Sequence, residues 1–118
     1  EVPAELAQAI RRAEAQTCLL VDSLGTWLAN LLDQDEPTWE QTCADLVASL
    51  GETQSQVIFV AEEVGWGVVP AYPIGRLFCD RMGQLTRLIG ARAHQVYLVS
   101  AGYALDLRQF GERVPGNK

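Results

Sequence analysis

One stretch near the middle of the chain constrains its fold more than any other: a short apolar run that opens into an acidic, glycine-spaced loop. The run is Val57–Val60, and the loop over residues 61–70 carries two adjacent glutamates, two spaced glycines and a closing proline. In open α/β sheets, ligands bind at the carboxyl ends of the strands, because loops there reach the ligand while the sheet holds them in place. The stretch therefore predicts a strand followed by a functional loop.

Strand-like and helix-like patterns alternate along the rest of the chain. Apolar runs predict strands over residues 17–21, 57–60, 96–100 and, as a short antiparallel edge strand, 104–107. Helical spacing of apolar residues predicts helices over residues 3–15, 24–32, 38–51 and 73–89. Asp22 follows the first strand, Ser23 is expected to cap the second helix, and Thr38 is expected to cap the third in a capping box with Gln41. Gly102 is expected to turn the chain before the edge strand.

This alternation predicts an α/β protein, a three-layer sandwich with a mainly parallel sheet and right-handed crossovers. With 118 residues, 48% of them apolar, the chain is long enough for one domain, predicted over residues 1–110 with a flexible tail over 111–118. Three or four strands leave one face or edge of such a sheet poorly covered. A missing N-terminal part, or an oligomer, is therefore expected to supply the cover.

Charge and cysteine content exclude several function classes. The formal net charge of −6 argues against a general affinity for nucleic acid, which depends on clustered Lys and Arg. Cys18, Cys43 and Cys79 form no Cys-x-x-Cys pair and are expected to be reduced core residues, and His94 is the single histidine, so no metal site is predicted. Neither a bilayer-spanning run nor a signal-peptide pattern is present, so a cytoplasmic protein is expected.

Three blocks of residues carry a family resemblance. Val21–Leu24 with Trp27–Leu32, then Glu63–Pro70, then Arg76–Gly83 stand in one order along the chain. Together these blocks resemble the adenosylcobinamide kinase/adenosylcobinamide-phosphate guanylyltransferase family, and the likeness covers most of the chain. It implies a RecA-like P-loop NTPase fold, a homotrimer and two reactions of cobalamin biosynthesis. These are phosphorylation of adenosylcobinamide with GTP or ATP and Mg, and transfer of GMP from GTP to the resulting phosphate.

The chain departs from the family pattern in ways that bear on catalysis. It contains no Gly-x-x-x-x-Gly-Lys-Ser/Thr, the loop whose backbone N–H groups and lysine hold nucleotide phosphates and which the family carries at the N-terminus. The family's guanylylated histidine has no counterpart, since His94 falls near the end of a helix where no catalytic role is implied. Glu62 and Thr86 each stand where the family commonly has Asn. We therefore expect a C-terminal two-thirds of such an enzyme that does not catalyse alone.

The candidate site residues follow from the strand ends and from the resemblance. Asp22 occupies the place of a Walker B carboxylate, and Glu63 is placed to accept a hydrogen bond from a substrate hydroxyl or to act as its base. The simpler alternatives are a helix N-terminal acid for Asp22 and a solvated loop acid for Glu63. Substrate or nucleotide contacts are expected from Glu62, Gly65, Trp66, Gly67, Pro70, Arg76 and Asp80. For Arg76 and Asp80 the alternative is a surface ion pair on one helix face.

Three functions remain open on the sequence alone. The first is a part of the nucleotide-dependent kinase and guanylyltransferase, with adenosylcobinamide and guanine nucleotide as ligands. The second is a non-catalytic binding or assembly module derived from that family. The third is a generic P-loop-like α/β domain unrelated to cobalamin. Retained carboxylates favour the first, and the absent phosphate loop favours the second.

Overall fold

In the computed structural model, which describes residues 3–64 and 71–115, the four longest helices pack into one core against one face of a small parallel sheet. The helices are α1 (Pro3–Arg12), α2 (Leu24–Ala29), α3 (Glu36–Glu52), α4 (Pro73–Gly90) and the short α5 (Leu107–Phe110). The strands are β1 (Cys18–Asp22), β2 (Gln56–Val60), β3 (Tyr97–Ser100) and β4 (Tyr103–Asp106). The predicted α/β class is confirmed, and the predicted elements occur in the predicted order.

Capping residues set where two of the helices begin. Ser23 caps α2 as predicted, with its Oγ accepting a hydrogen bond from the backbone N–H of Thr26 at 3.3 Å. The predicted cap of α3 is wrong: Asp35, not Thr38, is the N-cap, and its carboxylate accepts from the Thr38 N–H at 3.0 Å. Pro37 falls within the first turn of α3. Backbone N–H groups there have no partner within the helix, so the proline, which lacks an N–H, costs no helical hydrogen bond. Hydrogen bonding with Thr38 lowers the pKa of Asp35.

The core is a cluster of large apolar side chains from α1 to α4. Its fully buried members include Ile10, Leu24, Leu28, Trp39, Leu46, Met82 and Leu85. The rings of Trp27 and Trp39 pack at a centroid distance of 6.4 Å, which joins α2 to α3. Helical periodicity predicted most of these positions, because amphipathic helices bury their apolar stripe.

One charged side chain lies inside this core, and sequence patterns did not indicate it. Arg81 of α4 is 3% exposed, and its guanidinium lies 5.2 Å from the Trp39 ring centroid. Its Nη2 donates to the Gln34 carbonyl at 2.9 Å and to Glu36 Oε1 at 3.0 Å. Its Nε and Nη1 are buried without a partner among the described residues. Arg81 therefore ties α4 to the start of α3, while three of its five N–H groups have no partner among the described residues.

β1 and β2 form a parallel pair in which Leu20 lies beside Ile58 and Asp22 beside Val60. The face that carries Leu19, Val21, Val57 and Phe59 packs against the helical core. The opposite face is open: Leu20 is 60% exposed and Ile58 45% exposed. This face is open because α1 to α4 pack against the other side of the pair. Cys18 on the open face is likewise exposed rather than buried.

β3 and β4 form an antiparallel hairpin, as predicted for the edge strand. Ala101 and Gly102 make its two-residue loop with φ values of 53° and 81°, the positive φ that tight hairpins require. The predicted mainly parallel sheet of three or four strands does not form among the described residues, since the two pairs remain separate sheets. The reason is that β3 pairs with its sequence neighbour, while no described strand lies along the free edge of β1. Within the described ranges no helix is long and apolar enough to cross a membrane.

Candidate functional site

The carboxyl ends of β1 and β2 bring polar groups together at one edge of the parallel pair. Because Asp22 lies beside Val60 in the register, the residues that follow each strand meet at the same edge. The Oγ of Ser23 donates a hydrogen bond to Oε2 of Glu62 at 2.9 Å, across 39 positions of sequence. Asp22, Ser23 and Glu62 therefore form one cluster, which we call the strand-end cluster.

The Glu62 carboxylate is held over the start of α2. Ser23 Oγ also lies 3.2 Å from Thr26 Oγ1, so the cap and the cluster share one hydroxyl. The carboxylate lies close over Gly25, where an added Cβ would lie 2.5 Å from Glu62 Oε1. A larger residue at position 25 would therefore displace the end of the Glu62 side chain from this position. Glu62 is a positioned group and not a freely solvated loop acid.

Glu63 follows Glu62 and presents an exposed carboxylate with no hydrogen bond to a described residue. The next residue fixes the chain here, because Val64 packs against the core and its carbonyl accepts from Cys79 Sγ at 3.8 Å. Glu63 therefore extends from an anchored segment beside the strand-end cluster. Such a carboxylate can accept a hydrogen bond from a hydroxyl group brought to this edge.

Arg76 and Asp80 lie on α4, as predicted. The surface ion pair given as the alternative to their substrate contact is not among the salt bridges of the described residues. Arg76 instead donates from Nη1 to the Ala71 carbonyl at 3.1 Å, which holds the end of the loop against the start of the helix. Both side chains belong to the α4 side of the molecule, and they are not members of the strand-end cluster.

Four predicted site residues, Gly65, Trp66, Gly67 and Pro70, lie outside the described residues. Their predicted contacts with substrate or nucleotide stay predictions. The described ends of this loop, Val64 and Ala71, are both tied to α4 by the hydrogen bonds given above. The loop therefore starts and ends beside α4.

The strand-end cluster offers acceptors rather than cations. Asp22, Glu62 and Glu63 are carboxylates, and the single lysine of the sequence, Lys118, lies outside the described residues. Triphosphate binding needs backbone N–H groups or cationic side chains, so these residues alone do not fit a nucleotide triphosphate. Nor do the described ranges contain a group of three or more His, Cys, Asp or Glu that is placed to hold a metal ion. Hydroxyl groups of a substrate are the donors that this edge suits.

Sequence reasoning found the carboxylates but not the contacts that position them. Ser23 was identified as a helix cap, and its second role as donor to Glu62 depends on a distant strand. Gly25 carried no signal, because nothing local shows that a side chain from position 62 lies over it. The parallel order of the two strands was the available clue, since it predicts that their carboxyl ends meet.

The fold and this cluster define the class: an α/β protein whose polar site lies at the carboxyl ends of a parallel strand pair. The model of the family described as cobinamide kinase / cobinamide phosphate guanyltransferase matches residues 1–107. The chain belongs to this family. Membership confirms the predicted resemblance and removes the third alternative, a generic α/β domain from outside the family.

Curated relatives agree with the family match. The chain is 39% identical over 110 residues to the bifunctional adenosylcobalamin biosynthesis protein CobP of Pseudomonas aeruginosa, a match that covers 92% of this chain and 64% of the relative. It is 27% identical over 104 residues to the bifunctional adenosylcobalamin biosynthesis protein CobU of Escherichia coli, covering 76% of this chain and 58% of that protein. The protein of the same name from Salmonella typhimurium is 26% identical. The chain thus spans about three-fifths of the length of these relatives.

Proposed function

We propose that this chain takes part in cobalamin biosynthesis and contributes the substrate-hydroxyl side of a kinase and guanylyltransferase site. The supporting observation is the strand-end cluster, in which Ser23 holds the Glu62 carboxylate at 2.9 Å beside Asp22 and Glu63. In this proposal Glu63 accepts a hydrogen bond from the hydroxyl of adenosylcobinamide, the group that is phosphorylated, and assists its deprotonation. Asp22 and the positioned Glu62 orient the same end of the substrate.

We propose that the residues that bind the nucleotide come from the part of the longer relatives that lies outside their match to this chain. GTP or ATP with Mg needs a phosphate-binding loop, and the acidic strand-end cluster does not supply one. Arg76 and Asp80, with Gly65, Trp66, Gly67 and Pro70, are proposed to contact substrate or nucleotide once that part is in place. A homotrimer in the cytoplasm is the proposed assembly and location, on the strength of the family resemblance alone.

A second candidate function is a non-catalytic binding or assembly module. One observation favours it: the described strand ends present carboxylates and a hydroxyl, and none of the residues that the structure describes is a lysine. A module of this kind binds adenosylcobinamide and assembles with other copies but turns over no nucleotide. One measurement distinguishes the two candidates: whether GTP is consumed when this chain is combined with the part of a longer relative that lies outside the match.

Titration of adenosylcobinamide into the 118-residue chain by calorimetry tests the first candidate. Glu63→Gln replaces the charged acceptor, and hydrogen bonds to charged groups contribute about 1.5–3 kcal/mol, so the dissociation constant should rise about tenfold to hundredfold. The matched control is Glu112→Gln, an exposed glutamate outside the cluster, which should leave the constant unchanged. Equal binding by Glu63→Gln and the unsubstituted chain, or no binding by the unsubstituted chain, would contradict the proposal.

A further inference from the structure

A shallow groove of about 310 Å³ runs along one side of α4, and we call it the α4 groove. Five residues of that helix line it: Cys79, Asp80, Gly83, Gln84 and Arg87. The last four are spaced by three and four positions, so they share one face of the helix. Gly83 opens the groove at its middle, because a Cβ added there would meet no atom within 4 Å.

The α4 groove begins beside the segment that follows the strand-end cluster. Cys79 of the groove donates from Sγ to the Val64 carbonyl at 3.8 Å. Val64 follows Glu62 and Glu63 directly in the sequence. The groove and the carboxylates of the strand ends therefore border the same short stretch of chain, and one large ligand can contact both.

Gln84 presents an oriented amide donor to the groove. The Nε1 of Trp39 donates a hydrogen bond to Gln84 Oε1 at 3.0 Å. An indole nitrogen is a donor only, so this contact fixes the amide with its oxygen toward Trp39 and its NH2 group away from it. No described residue accepts a hydrogen bond from that NH2 group. Gln84 therefore keeps two N–H donors for a partner in the groove.

Charged side chains of opposite sign flank this amide. Asp80 lies one turn before Gln84 and Arg87 about one turn after it, and both are exposed. Neither forms an ion pair among the described residues. At a rise of 1.5 Å per residue, the two lie about 10 Å apart along the helix axis. The groove thus offers, in one row, an acceptor at Asp80 and donors at Gln84 and Arg87.

A primary carboxamide matches this row because it both donates and accepts hydrogen bonds. Its NH2 group can donate to the Asp80 carboxylate, and its carbonyl can accept from the Gln84 amide or the Arg87 guanidinium. Cobinamide, the compound named in the family description, carries primary carboxamides around the rim of its corrin ring. A phosphate group suits the groove less well, because the Asp80 carboxylate repels it.

We propose that the α4 groove binds primary carboxamide side chains at the rim of the corrinoid substrate. Asp80 accepts from their N–H groups, Gln84 and Arg87 donate to their carbonyls, and the bare backbone at Gly83 lets the rim approach the helix. The inference rests on the proposed function for the identity of the ligand. It adds a second point of contact, separate from the hydroxyl that the strand-end cluster is proposed to bind.

Two corrinoids distinguish this proposal from the proposed function. Adenosylcobinamide has both the hydroxyl and the carboxamides, whereas adenosylcobyric acid keeps the carboxamides and has a carboxylate in place of the hydroxyl-bearing arm. Calorimetry measures the binding of each to the 118-residue chain. Glu63→Gln should weaken the binding of adenosylcobinamide only, and a variant of the groove should weaken the binding of both. An effect of groove variants without an effect of Glu63→Gln would contradict the proposed hydroxyl contact alone.

Gly83→Leu is the diagnostic variant, with Gly51→Leu as its matched control. Both glycines are exposed on long helices, and a Cβ added at either meets no atom within 4 Å. Leucine is a better helix former than glycine, so neither variant should lose stability, and thermal unfolding checks this. We expect Gly83→Leu to raise both dissociation constants at least about tenfold, since leucine separates the rim from its hydrogen-bond partners. Gly51→Leu should leave them unchanged.

Gln84→Glu gives an independent test with an isosteric side chain. It keeps an acceptor for Trp39 Nε1 and replaces the N–H donors with a carboxylate oxygen, so both dissociation constants should rise at least about threefold. Equal affinity of Gly83→Leu and Gly51→Leu for adenosylcobyric acid would overturn the proposal. So would unchanged affinity of Gln84→Glu, or no binding of either corrinoid by the unsubstituted chain. Self-association that Gly83→Leu abolishes, measured by sedimentation, would overturn it too, because the groove would then be an interface between copies.

Discussion

The helical side and the strand side of this molecule use the same kinds of residue in opposite environments. On the helical side Leu28, Trp39 and Leu85 have no exposed surface. On the strand side Leu20, Val99 and Tyr103 are 60%, 70% and 80% exposed. Exposed apolar patches of this kind mark surfaces that bind another protein element. The comparison indicates that the chain completes its own helix packing and leaves large apolar side chains of its strands exposed.

Leucine truncation on the two sides should give the largest difference. Leu85→Ala removes a fully buried side chain from the core and should lower the free energy of unfolding by about 2–5 kcal/mol. Leu20→Ala on the open face of β1 should change it by less than about 0.5 kcal/mol. Urea unfolding of the two variants measures both values. Similar losses for the two would show that β1 is buried in solution, and the comparison would fail.

The cysteines offer a second contrast. Burial raises the pKa of Cys43 to about 11, so about one thiol in a thousand is ionised at pH 8, roughly a hundredfold below an ordinary cysteine. Cys18 lies on the open face of β1. We expect iodoacetamide to modify Cys18 at least about a hundredfold faster than Cys43, with peptide mapping to assign the rates. Because the thiolate is the nucleophile, modification of Cys43 should speed up as the pH rises toward 11. Comparable rates at pH 8 would contradict the burial of Cys43.

Arg81 is a charged residue inside the helical core, and its replacement tests how that core is stabilised. Its Nε and Nη1 are buried without partners among the described residues, so much of the desolvation cost of the charge is not offset. Arg81→Met keeps the volume and removes the charge, and it should raise the free energy of unfolding by roughly 1 kcal/mol. Thermal and urea unfolding measure the change. A loss of more than about 2 kcal/mol would instead show that the bonds to Gln34 and Glu36 dominate.

Local patterns predicted the helices well, because their signal lies within each segment. The 3.6-residue period located α1 and α4 and most of the core, and proline marked the start of α4. The start of α3 was missed because two capping residues compete within four positions. Asp35 is the N-cap because its carboxylate accepts a hydrogen bond from the Thr38 N–H, and Pro37 then lies within the first turn of the helix.

Features that depend on distant segments were harder to predict. Apolar runs identified the strands, and a poorly covered face or edge of the sheet was expected. The separation of the β3–β4 hairpin from the parallel pair was not expected, because apolar runs do not show which strands share a sheet. Parallel strand order brings Asp22 and Glu62 to one edge. The bond from Ser23 to Glu62 and the fit of that carboxylate over Gly25 were not predictable, because each joins residues almost forty positions apart.

Hydrogen–deuterium exchange of individual β1 amides, followed by NMR, tests most directly whether the strand side is an uncovered binding surface. In the chain alone, the amides of Leu19 and Val21 should be protected by β2, while those of Leu20 and Asp22 should exchange quickly. Protection of Leu20 and Asp22 in the chain alone would contradict an open β1 edge.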